Sequence, residues 1–144
     1  MARKVFISFL GSGKYGSCHY CKDGFKSLLG RYVQEATLDY LQSLESWTQE
    51  DAAYILLTDG AYTDNWLDGG DKDRDTHEII HQSGLKSVLT ARSYPFTICP
   101  VEHLPNGKNE AEIFEIFSGV VYLLQDGDRL YFDITHGFRY LPML

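Results

Sequence analysis

Apolar residues in this chain fall into short blocks separated by polar, glycine-rich stretches, and the blocks alternate between two spacings. Residues 4–10 (KVFISFL), 53–58 (AYILLT), 96–101 (FTICPV) and 130–134 (LYFDI) are near-continuous apolar runs rich in β-branched and aromatic side chains, which predicts buried strands. Val33, Ala36, Thr37, Tyr40, Leu41 and Leu44 recur at helical spacing and predict an amphipathic helix over residues 32–44. Ile113, Phe114, Ile116, Phe117, Val120, Val121 and Leu124 predict a second helix with one broad apolar face. Asn109 stands at its N-cap with Glu112 at the third helical position, resembling a capping box, and Asp126-Gly127 ends it. After Asp59-Gly60 a short helical piece reaches Trp66, and residues 76–91 read as one or two helical turns broken at Gly84. The most polar stretch, residues 67–75 (LDGGDKDRD), reads as a surface loop. Pro100 suits the third strand to a sheet edge.

Strands separated by helix-length segments predict a parallel sheet with right-handed crossovers. The expectation is therefore an α/β, Rossmann-like, mostly parallel sheet flanked by helices, in a single domain spanning residues 1–144. Its strand ends carry Gly11-Ser12, Thr58-Asp59 and Thr135-His136, and these should share one rim.

Composition narrows the function classes. The chain has 144 residues, one domain's worth, and 44% hydrophobic residues, enough for a real core. No stretch approaches the length of a membrane span and no basic segment leads into an apolar one, so the expectation is a cytoplasmic protein without a membrane partner. A formal net charge of -7 argues against direct binding of duplex nucleic acid by bulk electrostatics. An anionic ligand then needs a locally basic site or one built from backbone N–H groups. Three cysteines, Cys18, Cys21 and Cys99, read as reduced thiols. With His103 they have the residue types of a Cys3His zinc site, but two loop thiols and a buried strand cysteine are the better reading, so no metal and no cofactor are expected.

Two turns carry candidate chemistry. After the first strand, Gly11-Ser12-Gly13-Lys14-Tyr15-Gly16 matches G-x-G-x-x-G literally. That motif needs its third glycine in a helix opening, whereas the polar residues 17–24 follow here and the helical pattern starts only near Arg31. A P-loop fails, because Ser8 stands where its first glycine belongs and Tyr15 follows Lys14. What survives is a glycine-rich loop that brings backbone N–H groups and Lys14 close to a ligand. At the end of the chain, Thr135, His136 and Gly137 break an apolar run before what reads as a helix. A helix N-terminus there, with a hydroxyl at Thr135, a ring at His136 and a guanidinium at Arg139, suits a phosphate. The competing reading is a plain turn with a capping Thr135 and a His136 satisfied by backbone.

Taken together, the motifs resemble a known family. Asp133-Ile134-Thr135-His136-Gly137 is similar to the D-x-T-H-G signature of a CRISPR-associated family. Residues 6–15 (FISFLGSGKY), 31–36 (RYVQEA) and 104–109 (LPNGKN), the last followed by an acidic-apolar helix, resemble that family's other landmarks in the same order. The resemblance implies a CARF domain, a Rossmann-like module sensing the cyclic oligoadenylate made during type III CRISPR antiviral defence. The family usually joins this domain to a C-terminal effector, often a HEPN ribonuclease with an R-x-x-x-x-H motif. This chain has no R-x-x-x-x-H and stops at Leu144, where the family's helix and further strands continue. A fragment or truncated version without effector is expected.

The resemblance also implies a homodimer binding the ring across its two-fold axis, with cyclic tetra-adenylate favoured. The expected ligand-binding residues are Gly11, Ser12, Gly13, Lys14 and Tyr15 in the first turn and Thr135, His136, Gly137 and Arg139 in the last. Tyr15 stacking on an adenine would contribute about 1–3 kcal/mol, although an ordinary packed tyrosine is an equal reading. Thr58 and Asp59 are candidates for reading ribose or base edges, and Asn109, beside Lys108, is either a landmark of the site or simply a helix cap. A ring nuclease is the alternative, in which the ribose 2′-OH attacks the adjacent phosphate. Ser12 would then position, Lys14 and Arg139 would stabilise charge, and His136 would carry the proton. Sensing is the favoured reading of the two. Outside this family, a dinucleotide-dependent oxidoreductase would need Glu35 or Asp39 on the ribose, and a non-binding structural domain would bind no nucleotide.

Overall fold

The apolar runs become the strands of one parallel sheet. In the computed structural model, which describes residues 3–11, 19–22, 24–28, 30, 32–69, 71–72, 75–81 and 83–133, the chain opens with β1 (Lys4–Phe9), a small hairpin of β2 (Cys21–Lys22) and β3 (Phe25–Lys26), and α1 (Val33–Leu44). Then come β4 (Ala52–Thr58), the short α2 (Asp59–Ala61) running into a π-helical turn at Tyr62–Trp66, and a second small pair, β5 (Asp71–Lys72) and β6 (Ile79–His81). It continues through α3 (Leu85–Ala91), β7 (Thr97–Leu104), α4 (Glu110–Leu123) and β8 (Arg129–Asp133). The main sheet has the order β7-β4-β1-β8 with every neighbouring pair parallel. This is a Rossmann-like α/β fold.

Strand alternation divides the core into two layers. Phe6 of β1 and Leu10 just beyond it join Ala53, Ile55 and Leu57 of β4 beneath Leu38 and Leu41 of α1 and Leu85 and Leu89 of α3. Val5, Ile7 and Phe9 turn the other way and meet Ile113, Ile116 and Val120 of α4. Burial on both faces explains why β1 reads as an unbroken apolar run. Pro100 lies on β7, an edge of the sheet, where a missing N–H is tolerated.

Two carboxylates hold the opposite end of the sheet from the predicted site. Asp51 accepts from the Lys4 N–H and the Thr48 N–H, both at 2.7 Å, with the Lys4 ammonium 3.5 Å away. Asp128 takes the Arg3 guanidinium in a fork, at 3.1 and 2.7 Å, while the Arg129 N–H donates to the Arg3 carbonyl at 2.8 Å. These contacts fasten the start of β1 to β4 on one side and β8 on the other.

The structure departs from the sequence pattern in five places. Part of residues 76–91 is strand, since β6 folds back antiparallel on β5, and only Leu85–Ala91 is helical. That pairing also takes Asp71–Lys72 out of the expected loop. On α4 only Ile113, Ile116 and Val120 are buried, while Phe114 and Val121 stand 57% and 65% exposed. A helix lying on a flat sheet covers one stripe at 3-and-4 spacing, and residues a step round the helix fall outside it. β8 is half-exposed rather than buried, because no described strand pairs with its outer side. On α1, Gln34 and Glu35 are buried and Leu44 is exposed, the reverse of their polarity.

Candidate functional site

From β1 the chain steps to β4 and then β7 in one direction, and α4 carries it back across the other face to β8 on the far side of β1. In open α/β sheets the reversal point leaves a crevice beyond the C-terminal strand ends, where ligands bind. Here that point lies between β1 and β8. Ser8 and Asp133 are register partners at this end, and the Ser8 hydroxyl donates to Asp133 Oδ2 at 2.8 Å. Gln34, in the first turn of α1, donates from Nε2 to the Ser8 Oγ and to the Phe9 carbonyl, both at 3.1 Å. A carbonyl can only accept, so the amide must present its nitrogen to Phe9. The Gln34 Oε1 is left fully buried without a hydrogen-bond partner.

Gly11, the first residue of the glycine-rich turn, has its carbonyl held by Asn65 Nδ2 at 2.7 Å. The π-helical turn after β4 supplies that asparagine, so the start of the turn is fixed from a neighbouring strand end. Ser12, Gly13, Lys14 and Tyr15 lie outside the described residues, as do Thr135, His136, Gly137 and Arg139. The strands from which both turns depart are adjacent and parallel.

A cavity of about 340 Å³ opens beside this crevice, between α1, the β2–β3 hairpin and the end of β8. Tyr20, Phe25, Tyr40 and Tyr131 supply aromatic walls, and Lys22 and Asp133 supply charge. Phe25 meets Tyr40 edge-on at 5.4 Å, and the Lys22 ammonium sits 5.6 Å from the Tyr40 ring centre. The volume lies in the range of small-ligand pockets, and planar rings on its walls suit a nucleobase. The sequence pattern does not mark Tyr20, Lys22 or Phe25 as site residues. The available signal is the pair of aromatics, Tyr20 and Phe25, flanking the Asp23-Gly24 dipeptide.

The other predicted rim residues do different work. Thr58 Oγ1 accepts from the Ala61 N–H at 3.2 Å and caps the short helix after β4. Asn109 caps α4, accepting from the Glu112 N–H at 3.0 Å, while Glu112 Oε1 accepts from the Lys108 N–H at 3.4 Å. Asp59 pairs with His103, Oδ1 to Nδ1 at 2.8 Å, across the ends of β4 and β7. This pair lines a second cleft of about 420 Å³ together with Gly60, Asn106, Lys108 and Glu112. His103 entered the sequence reading only as a formal metal ligand, and it meets Asp59 where the pairing of β4 with β7 changes register.

The carboxylates that a dinucleotide site would need are already engaged. Glu35 is 3.2 Å from Arg92 and Asp39 is 3.0 Å from it. Burial works against the Arg92 charge, but the hydrogen bond it donates to Glu35 and the charge of Asp39 hold its pKa above the ordinary value. The Tyr94 hydroxyl donates to Asp39 at 3.0 Å, and burial together with that carboxylate pushes the phenol well up. Cys21 lies in the aromatic cavity beside β8, whereas Cys99 is on β7 at the other edge of the sheet, so these thiols do not come together. Burial raises the Cys99 thiol above its usual pKa. Cys18 is outside the described residues. Among the described residues, no group of three His, Cys, Asp or Glu side chains is placed to hold a metal ion, and no helix is long and apolar enough to cross a membrane.

No family model matches the chain, and no curated protein matches it.

Proposed function

We propose that this domain binds a cyclic oligoadenylate, with cyclic tetra-adenylate favoured, across the two-fold axis of a homodimer, and so reports activation of type III CRISPR defence. The observation that carries this reading is the pairing of β1 with β8. It brings the departure points of the glycine-rich turn and of the D-x-T-H-G turn to one crevice, at the reversal of strand order. The aromatic cavity alongside is sized for a base, and Lys22 adds local positive charge to a chain that is acidic overall. Glycine-turn N–H groups and Lys14, together with Thr135, His136 and Arg139, are the groups through which the phosphates would be held.

Calorimetric titration with cyclic tetra-adenylate, cyclic hexa-adenylate and NAD tests the reading. Binding of a cyclic ligand at one ring per two chains, and none of NAD, is the expected result. Binding of neither ring, or undiminished binding by a Thr135→Ala, His136→Ala double variant, overturns it. The oxidoreductase alternative is disfavoured because Glu35 and Asp39 are both committed to Arg92. Cleavage of the bound ring is a second reading, and the paired His103 and Asp59 favour it.

A further inference from the structure

We infer that His103 is a general base for cleaving a ribonucleotide phosphodiester, with Asp59 as its positioning residue. The inference rests on the cyclic oligoadenylate reading above and moves the proton-carrying role away from His136.

Three independent features of this corner of the rim support it. The first is the hydrogen-bond pattern. An ionised carboxylate only accepts, so His103 donates to Asp59 from Nδ1, and in the neutral ring Nε2 then keeps its lone pair. Glu102 Oε2 stands 3.9 Å from Nε2, too far for a hydrogen bond. A carboxylate that fixes the tautomer and leaves the far nitrogen open is the arrangement by which an imidazole accepts a proton from a hydroxyl.

The second feature is the backbone. His103 has φ 61°, in the left-handed region that few non-glycine residues adopt. It lies in the stretch where the pairing of β4 with β7 slips, Leu56 opposite Val101 but Thr58 opposite Leu104. Such irregularities re-aim a side chain at the end of a strand. Here the side chain so placed is the one that meets Asp59.

The third feature is the cleft itself. His103, Asp59 and Lys108, together with the carboxylates of Glu112 and Glu115, line one open space at the C-terminal ends of β4 and β7. The parallel sheet puts these ends on the same rim as Ser8 and Asp133. With strands about 4.8 Å apart, the cleft and the crevice are roughly 10–14 Å from each other along the rim. A macrocyclic nucleotide seated in the crevice can reach both.

The chemistry balances without a further reactant. His103 Nε2 takes the proton of a ribose 2′-OH, the O2′–P bond forms, and the P–O5′ bond breaks. The Lys108 ammonium gives a proton to the departing O5′, and water relays the proton from His103 back to Lys108. The products carry a 2′,3′-cyclic phosphate at one end and a 5′-hydroxyl at the other.

The experiment incubates the whole chain with cyclic tetra-adenylate and with cyclic hexa-adenylate, and follows products by chromatography and mass. The wild-type protein should open at least one of the two rings to products with 2′,3′-cyclic phosphate ends. His103→Gly should cut the single-turnover rate by about 100-fold or more, leave the calorimetric Kd unchanged, and recover part of the rate when free imidazole is added. Glycine suits φ 61°, so this variant should melt no lower than wild type, which separates loss of chemistry from loss of fold. Asp59→Asn should lower kcat and leave KM unchanged. Intact rings recovered from a wild-type protein that binds them overturn this inference and leave the binding reading standing, as does a His103→Gly variant that cleaves at the wild-type rate. Failure of the wild type to bind either ring overturns both.

Discussion

Ser8 and Asp133 face each other across the reversal point of the sheet, joined by a 2.8 Å hydrogen bond in which the serine hydroxyl donates. Asp133 is also the first residue of the D-x-T-H-G sequence. The tether is itself held by Gln34, whose amide reaches Ser8 and Phe9 together. Ser8→Ala removes the donor to Asp133 and one acceptor for Gln34. The expected cost is about 1–2 kcal/mol in urea denaturation, with a weakening of cyclic tetra-adenylate binding of about tenfold, equivalent to about 1.4 kcal/mol. Unchanged affinity in a destabilised variant would confine the pair to a structural role.

Acid should loosen the end of the sheet away from the site. Burial tends to raise the Asp51 pKa, but the Thr48 and Lys4 N–H groups and the Lys4 ammonium outweigh it and hold the carboxyl below its usual range. The Arg3 guanidinium does the same for Asp128. A lowered folded-state pKa means the unfolded chain takes up protons first, so stability falls as pH falls. Both contributions are complete above the ordinary carboxylate pKa of about 3.9 and are lost as pH drops through the lowered values. Urea midpoints measured between pH 6 and pH 2 should fall most steeply below about pH 4. Asp51→Asn should flatten that fall and cost about 1–3 kcal/mol at neutral pH, because it disturbs two backbone donors and the paired ammonium.

Gly84 is predicted to tolerate no side chain. A Cβ there would stand 2.4 Å from the Trp66 carbonyl oxygen and 2.5 Å from that of Leu67, and backbone cannot swing aside as a side chain does. The Gly84 N–H also donates to Asp68 at 2.7 Å, fixing the loop against the start of α3. Gly84→Ala should cost about 1–3 kcal/mol by overpacking, read as a lowered thermal midpoint.

Thr58 should behave as a cap and not as a ligand contact. Thr58→Val keeps the shape and deletes the acceptor for the Ala61 N–H, which predicts a loss of about 1 kcal/mol in stability with nucleotide affinity unchanged. A variant of full stability that binds cyclic tetra-adenylate poorly would reverse that assignment.

The strands were readable because their signal is local. β1, β4 and β7 are runs of apolar, β-rich residues, and Asn109 with Glu112 spells its cap within four positions. Their order in the sheet was not readable, since nothing in residues 129–133 says which strand they join. The same holds for the groups that tertiary contacts bring together. Gln34 and Glu35 look like the solvated side of a helix until Ser8 and Arg92 supply their partners. His103 and Asp59 are 44 positions apart and meet where the pairing of β4 with β7 changes register. The Tyr20 to Phe25 hairpin is too short for periodicity to register, so its aromatic cavity stayed hidden.

The placement of β8 has a consequence for how the chain is made. Ser8 and Asp133 stand 125 positions apart in sequence, yet they are neighbours in the sheet. As the polypeptide leaves the ribosome, β1 can pair with β4 early, but its other edge must wait for almost the whole of the described chain to be synthesised. Closing so long a loop slows folding and leaves a bare hydrophobic strand edge open to other nascent chains in the meantime. The crevice is therefore among the last features to form, and translation stalled before β8 would yield a sheet with no place for a ligand.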